Sequence, residues 1–156
     1  MSYYDNITAV ESAVINLIKT DTTILQYVTT GNIQDSDYIL RLKKLYPGIS
    51  IVLKKEPDSK QPSGMSHLNL SFQIRVYSGI IPLNQAKDNT YRIVSRIKEI
   101  FETVSKINST KAFFDCKISD IDFDKEIAEE HYTSSNNISK CAEITLLTNS
   151  YIKKTL

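Results

Sequence analysis

Asp120-Ile121-Asp122-Phe123-Asp124-Lys125-Glu126 is the stretch whose residue types could most readily do chemistry. Carboxylates at alternate positions first suggest a calcium loop. The helix–loop–helix calcium site needs Gly at its sixth position for the sharp turn and a bidentate Glu at its twelfth. Counted from Asp120, those positions hold Lys125 and His131, so the motif fails. An extended segment explains the same residues. Alternation sets Asp120, Asp122, Asp124 and Glu126 on one side of it, with Ile121 and Phe123 on the other.

The remaining reactive side chains are scattered. Cys116, Cys141, His67 and His131 lack the short paired spacing of a zinc site, and the same spacing argues against a Cys–His nucleophile pair. Two buried thiols in a reducing compartment are the simpler reading. The chain has only four glycines, none clustered, so no phosphate-cradling loop is present. No catalytic, cofactor-binding or metal-ligating set emerges, and a non-enzymatic role is expected.

Charge is informative in its distribution. Nineteen basic and eighteen acidic residues nearly cancel, so the total does not argue for nucleic-acid or membrane binding. Seven acidic residues and two lysines lie between Asp115 and Glu130, whereas six basic residues and two acidic ones lie between Arg41 and Lys60. Solvated loops explain this most simply. The sharper reading is a pair of complementary patches in an assembly. No apolar run approaches the roughly eighteen residues a membrane-spanning helix needs. The N-terminus lacks the basic-then-apolar pattern of a secretory signal.

The elements that must position these groups follow from periodicity. At 156 residues the chain is most simply one domain, 1–156, with a substantial core. His67–Tyr77 alternates strictly, with Leu68, Leu70, Phe72, Ile74 and Val76 on one face. After a turn over Ser78–Leu83, Asn84 can cap a helix to about Lys106, striped by Ala86, Ile93, Val94, Ile97, Ile100, Phe101 and Val104. Phe72, Ile74, Ile97 and Phe101 should share one core. Upstream, a helix is expected over Asp5–Lys19. A short second helix over Thr22–Thr29, capped by Asp21, should bury Ile24, Leu25 and Val28 and end at Gly31-Asn32, where positive φ is easily reached. Ile39, Leu42 and Leu45, three apart, suggest a third helical piece in the ambiguous stretch Asp35–Tyr46. Residues 48–55 form a strand, and Glu56–Ser66, rich in Pro, Ser and charge, reads as a mobile loop.

Downstream, Ala112, Phe114, Cys116 and Ile118 make a third strand. The apolar phase then shifts by one residue to Ile121 and Phe123, which suggests a bulge or a strand crossing between surfaces. Ile138–Lys153 is the last strand. The expected fold class is α+β: about four strands in an antiparallel or mixed sheet, with helices packed on one face.

This organisation resembles that of the tail terminator proteins of long-tailed bacteriophages. The likeness runs through the N-terminal helix Ile7–Lys19 and Thr23-Ile24-Leu25-Gln26-Tyr27-Val28 with its Gly-Asn step. It continues in Tyr46-Pro47-Gly48-Ile49-Ser50-Ile51-Val52 and a charged loop, then in Leu70-Ser71-Phe72-Gln73-Ile74-Arg75-Val76-Tyr77 before the helix opening Asn84-Gln85-Ala86-Lys87-Asp88-Asn89. It covers about Ile7–Phe101.

The resemblance implies a structural virion protein at the tail–neck junction, assembled in the host cytoplasm. It implies a homo-oligomeric ring, usually of six subunits, that stops growth of the tail tube and docks the neck or head-completion protein. Genomic DNA passes through the lumen without specific binding, and neither a cofactor nor a membrane is involved. The family supplies no motif that fixes interface residues. Candidates therefore come from charge: Lys54, Lys55 and Lys60 at the assembly loop, and the Asp120, Asp122, Asp124 and Glu126 row. That row could line a lumen, since phosphates bind basic surfaces strongly and a sliding channel should avoid them. An acidic edge that discourages strand pairing is the simpler explanation. The alternatives are another head–tail connector or neck component and, from a different class, a small ligand-binding or enzymatic α+β domain with a pocket between helix and sheet.

Overall fold

Alternating apolar residues need a second apolar surface to cover them, and the computed structural model shows where each strand finds one. It describes residues 3–36, 47–55, 66–107, 111–113, 115–125 and 137–152. The elements are α1 (Tyr3–Lys19), two short 3-10 turns (Ile24–Gln26 and Thr30–Asn32), β1 (Ile33–Gln34), β2 (Gly48–Lys55), β3 (Ser66–Pro82), α2 (Leu83–Ile107), β4 (Asp115–Asp122) and β5 (Asn137–Ile152). The architecture is α+β, with a five-stranded sheet in the order β1-β2-β3-β5-β4. β1 runs parallel to β2 and every other pairing is antiparallel, so the sheet is mixed.

The fifth strand is β1. Two residues are too few for alternation to reveal, yet Ile33 is fully buried and pairs with Ile49. Its neighbourhood also corrects the expected second helix. Asp21 does cap the turn, accepting a hydrogen bond from Ile24 N at 3.0 Å, but the helical segment there is a single 3-10 turn. Ile24 and Val28 are buried while Leu25 faces solvent. Gly79 is the glycine with positive φ among the described residues, so Gly31 ends nothing by that device. The expected third helical piece lies outside the described residues from position 37 onward. So does the expected mobile loop Glu56–Ser66, apart from Ser66 at the start of β3.

The inner face of the sheet is built from rows in register. Ile51, Ile74, Ile144 and Ile121 stand side by side across β2, β3, β5 and β4. The next row is Leu53, Phe72, Leu146 and Ile118. Between these rows β4 carries one extra residue, with the register shifting between Ile118 and Asp120. That bulge is the phase shift expected from sequence, and its physical purpose is plain: it keeps both Ile118 and Ile121 on the core side. Helix α2 lays its stripe on this face, and Phe72, Ile74, Ile97 and Phe101 are all buried in one cluster with Val10, Val14 and Ile18 of α1.

The Ser78–Leu83 turn is corrected. β3 passes straight through it to Pro82, with a bulge between Tyr77 and Ile80. Gly79 takes φ 74° there, which costs an L side chain about 1–2 kcal/mol but glycine little. Ser78 Oγ accepts from Lys140 N at 2.8 Å and donates to Gly79 O at 2.8 Å, replacing the interrupted ladder. Strand pairing therefore resumes, and α2 begins at Leu83.

The third strand is also shorter than expected. β4 begins at Asp115, and Phe113 just before it is buried, whereas Ala112 lies outside the strand. Phe114 is not among the described residues. Phe123 falls past the end of β4 and is exposed, which corrects its expected inward placement.

Candidate functional site

The acidic row does not survive as a straight line of four. Asp120 and Asp122 belong to β4 and pair with Thr145 and Glu143, on the face away from the core. The backbone bends after Asp122, whose Oδ1 accepts from Asp124 N at 3.1 Å. Asp124 instead meets Lys140 Nζ at 2.9 Å. Glu126 lies outside the described residues. β4 is the last strand of the sheet, and a bulge with outward carboxylates on such a strand hinders pairing with another chain. Of the three candidate lysines, Lys54 is exposed near the end of β2 and Lys55 is that strand's last residue. Lys60 lies outside the described residues.

Register creates a polar row that the sequence did not disclose. Ser50, Arg75, Glu143 and Asp122 stand abreast across four strands on the outer face. Arg75 Nε donates to Glu143 Oε2 at 2.8 Å, and Lys125 Nζ approaches Glu143 Oε1 at 3.7 Å. Lys125 N donates to Cys141 O at 2.9 Å, which holds the chain after β4 against β5. Like charges abreast repel, so the two cations are what let Glu143 stand beside Asp122. Arg75 and Glu143 lie 68 residues apart in the chain. Their pairing needed the β3–β5 register, for which the sequence carries no local signal.

The two cysteines face opposite sides of the sheet. Cys116 pairs with Thr148 and Cys141 lies seven residues before it on the same strand, an odd separation. Both cysteines are buried, as expected. Cys116 Sγ lies 3.2 Å from Phe101 O, donating to it, and borders an open groove of about 520 Å3 between α2 and β4. Burial, aided by the nearby Asp115 carboxylate, pushes its pKa up to about 11. The thiol is thus neutral at pH 7, a poor nucleophile and a poor metal ligand. Among the described residues no three His, Cys, Asp or Glu side chains are placed to hold a metal.

The most distinctive concavity lies at the other end of α2. A pocket of about 270 Å3 opens between Leu83, Thr90 and Tyr91 on the helix and Phe123, Asp124 and Lys140 beyond it. Leu83, Tyr91 and Phe123 are 51%, 40% and 47% exposed, and they are three of the five exposed large hydrophobic residues among those described. The Tyr91 and Phe123 rings meet edge to face at 5.3 Å, and Lys87 Nζ sits 5.7 Å from the Tyr91 ring centre. Thr90 Oγ1 is buried and has no hydrogen-bond partner among the described residues. The sequence offered one partial signal for this site: Tyr91 falls off the helix's apolar stripe and so had nowhere to be buried.

An aromatic, partly wet surface of this kind suits contact with another macromolecule, because aromatic residues are enriched at protein interfaces. Neither a search of protein-family models nor one of curated proteins finds a match to this chain.

Proposed function

We propose that the chain is a non-catalytic subunit of a ring of the kind found at the head-proximal end of a phage tail, where it stops tube growth, docks the neck and lets DNA pass. The observation that carries this reading is the clustering of Leu83, Tyr91 and Phe123 around one surface pocket. Scattered surface hydrophobics need no explanation, whereas a contiguous group with an edge-to-face aromatic pair is what an assembly interface presents. Two further features fit. The order α1, β2, β3 and long helix is the part of the chain on which the resemblance to tail terminators rests. The buried, neutral Cys116 and the ion-paired Arg75 and Glu143 are built as structural groups rather than reacting ones.

The test is the native mass of the purified chain, alone and with a candidate tail tube protein. A closed ring of about six copies, formed alone or on tube ends, is the expected result. A chain that stays monomeric at high concentration and ignores the tube protein overturns the reading. Binding to a neck protein without binding to tube ends moves the assignment to a connector of the same junction.

A further inference from the structure

The pocket at the start of α2 has a hydroxyl to satisfy, an apolar wall to cover and a lysine on its rim, and the chain itself carries a side chain suited to the first two. Tyr4, near the start of α1, is 72% exposed, more than any other large hydrophobic residue described, and it does not line the pocket. We propose that Tyr4 of one copy seats in the Leu83–Thr90–Tyr91–Phe123 pocket of the next, so that copies join head to tail. This rests on the ring-subunit reading and names the contact that would build the ring.

Three observations single out this occupant. A tyrosine ring is apolar along its body and polar at its tip, and a buried hydroxyl normally finds a partner. Thr90 Oγ1, buried without one, can donate to or accept from a phenol. The rim and the knob are complementary in charge. Lys87 has no carboxylate partner among the described residues, while Asp5 follows Tyr4 in the first turn of α1. The knob and the pocket are also different surfaces of one molecule. A contact between different surfaces is heterologous, and it closes into a ring when the rotation between copies allows. One tyrosine does not bury the area of a stable interface, so Tyr4 is the anchor around which weaker contacts gather.

The experiment combines mass measurement with crosslinking of the full chain. Tyr4→Ala and Phe123→Ala are each expected to weaken self-association at least tenfold. Mixing the two variants restores a single knob-and-pocket contact, and so yields a heterodimer. A photoreactive p-benzoylphenylalanine at position 4 is expected to crosslink a second copy within 83–91 or 121–124, even where association is too weak to isolate. Variants that assemble like wild type, a mixture that gives no heterodimer, or crosslinks that fall elsewhere or do not form all overturn the proposal. Rings that assemble without Tyr4 leave the ring reading standing and remove only this contact. A chain that forms no ring with or without tube protein removes the ring reading itself.

Discussion

From Ile93 to Val104, α2 buries each residue of its apolar stripe, whereas over its opening turns it leaves Leu83 and Tyr91 half in water. One helix thus carries two apolar surfaces with different fates. The buried one meets rows of side chains on β3, β4 and β5 whose spacing matches its own. The exposed one lies where β4 has ended and Phe123 has turned outward. Sheet coverage rather than hydrophobicity decides which residues are core. A leucine and two aromatics stay on the surface beside the end of β4.

The contrast breaks most visibly at Phe101, at the centre of the covered half. Its ring is buried among residues of the inner rows, and its carbonyl oxygen accepts from the Cys116 thiol. Phe101→Ala leaves a cavity that the surrounding strands cannot close. The expected loss is about 3–5 kcal/mol of stability, measured by denaturant unfolding. A loss below about 1 kcal/mol would place Phe101 outside the core.

The covered half was legible in the sequence because its signals are periodic and long. The β3 alternation and the α2 stripe each repeat over many residues, and packing them together requires only that both have one apolar face. Even the one-residue change of phase in β4 could be seen, although only the register shows it to be a bulge and not a strand crossing between surfaces. Three kinds of feature were hidden. β1 is too short to show a period. The Ser78–Gly79 bulge looks locally like a turn, because the residues that favour turns also favour positive φ. The Arg75–Glu143 pair and the surface pocket depend on which strands become neighbours, and that is set by the whole topology. Phe123 was misplaced because alternation was extended one residue pair past the true end of the strand.

A smaller effect sharpens the comparison at the boundary between α1 and α2. Asp21 accepts from Arg96 at 2.7 Å and from Ile24 N at 3.0 Å, fastening the first 3-10 turn to the middle of α2. The Arg96 hydrogen bond, opposed by burial and helped by the Ile24 amide, holds the Asp21 carboxyl below the usual aspartate value. A carboxyl depressed in the folded state stabilises fully above its unfolded pKa of about 3.9, and that contribution is lost as pH falls through the folded value. Asp21→Ala should therefore destabilise by about 1–3 kcal/mol at pH 7. The gap between variant and wild type should narrow as unfolding is measured from pH 5 down to pH 2. A gap that stays constant over that range would mean the carboxylate's charge contributes nothing.

The smallest effect is expected in the uncovered half, at Phe123. Its ring touches Tyr91 edge to face at 5.3 Å and is otherwise 47% exposed. Truncation creates no enclosed cavity, because solvent already reaches the ring. What disappears is the aromatic pair, worth about 0.5–1.5 kcal/mol where such pairs are well formed and less at a wet surface. Phe123→Ala should thus lower stability by no more than about 1 kcal/mol by denaturant unfolding, a fraction of the loss at Phe101. This small loss is what lets the variant report on association, since a folded chain lacking only one wall of the pocket isolates the surface from the core. A loss approaching that of Phe101→Ala would erase the distinction between the two halves of α2 and return Phe123 to the core.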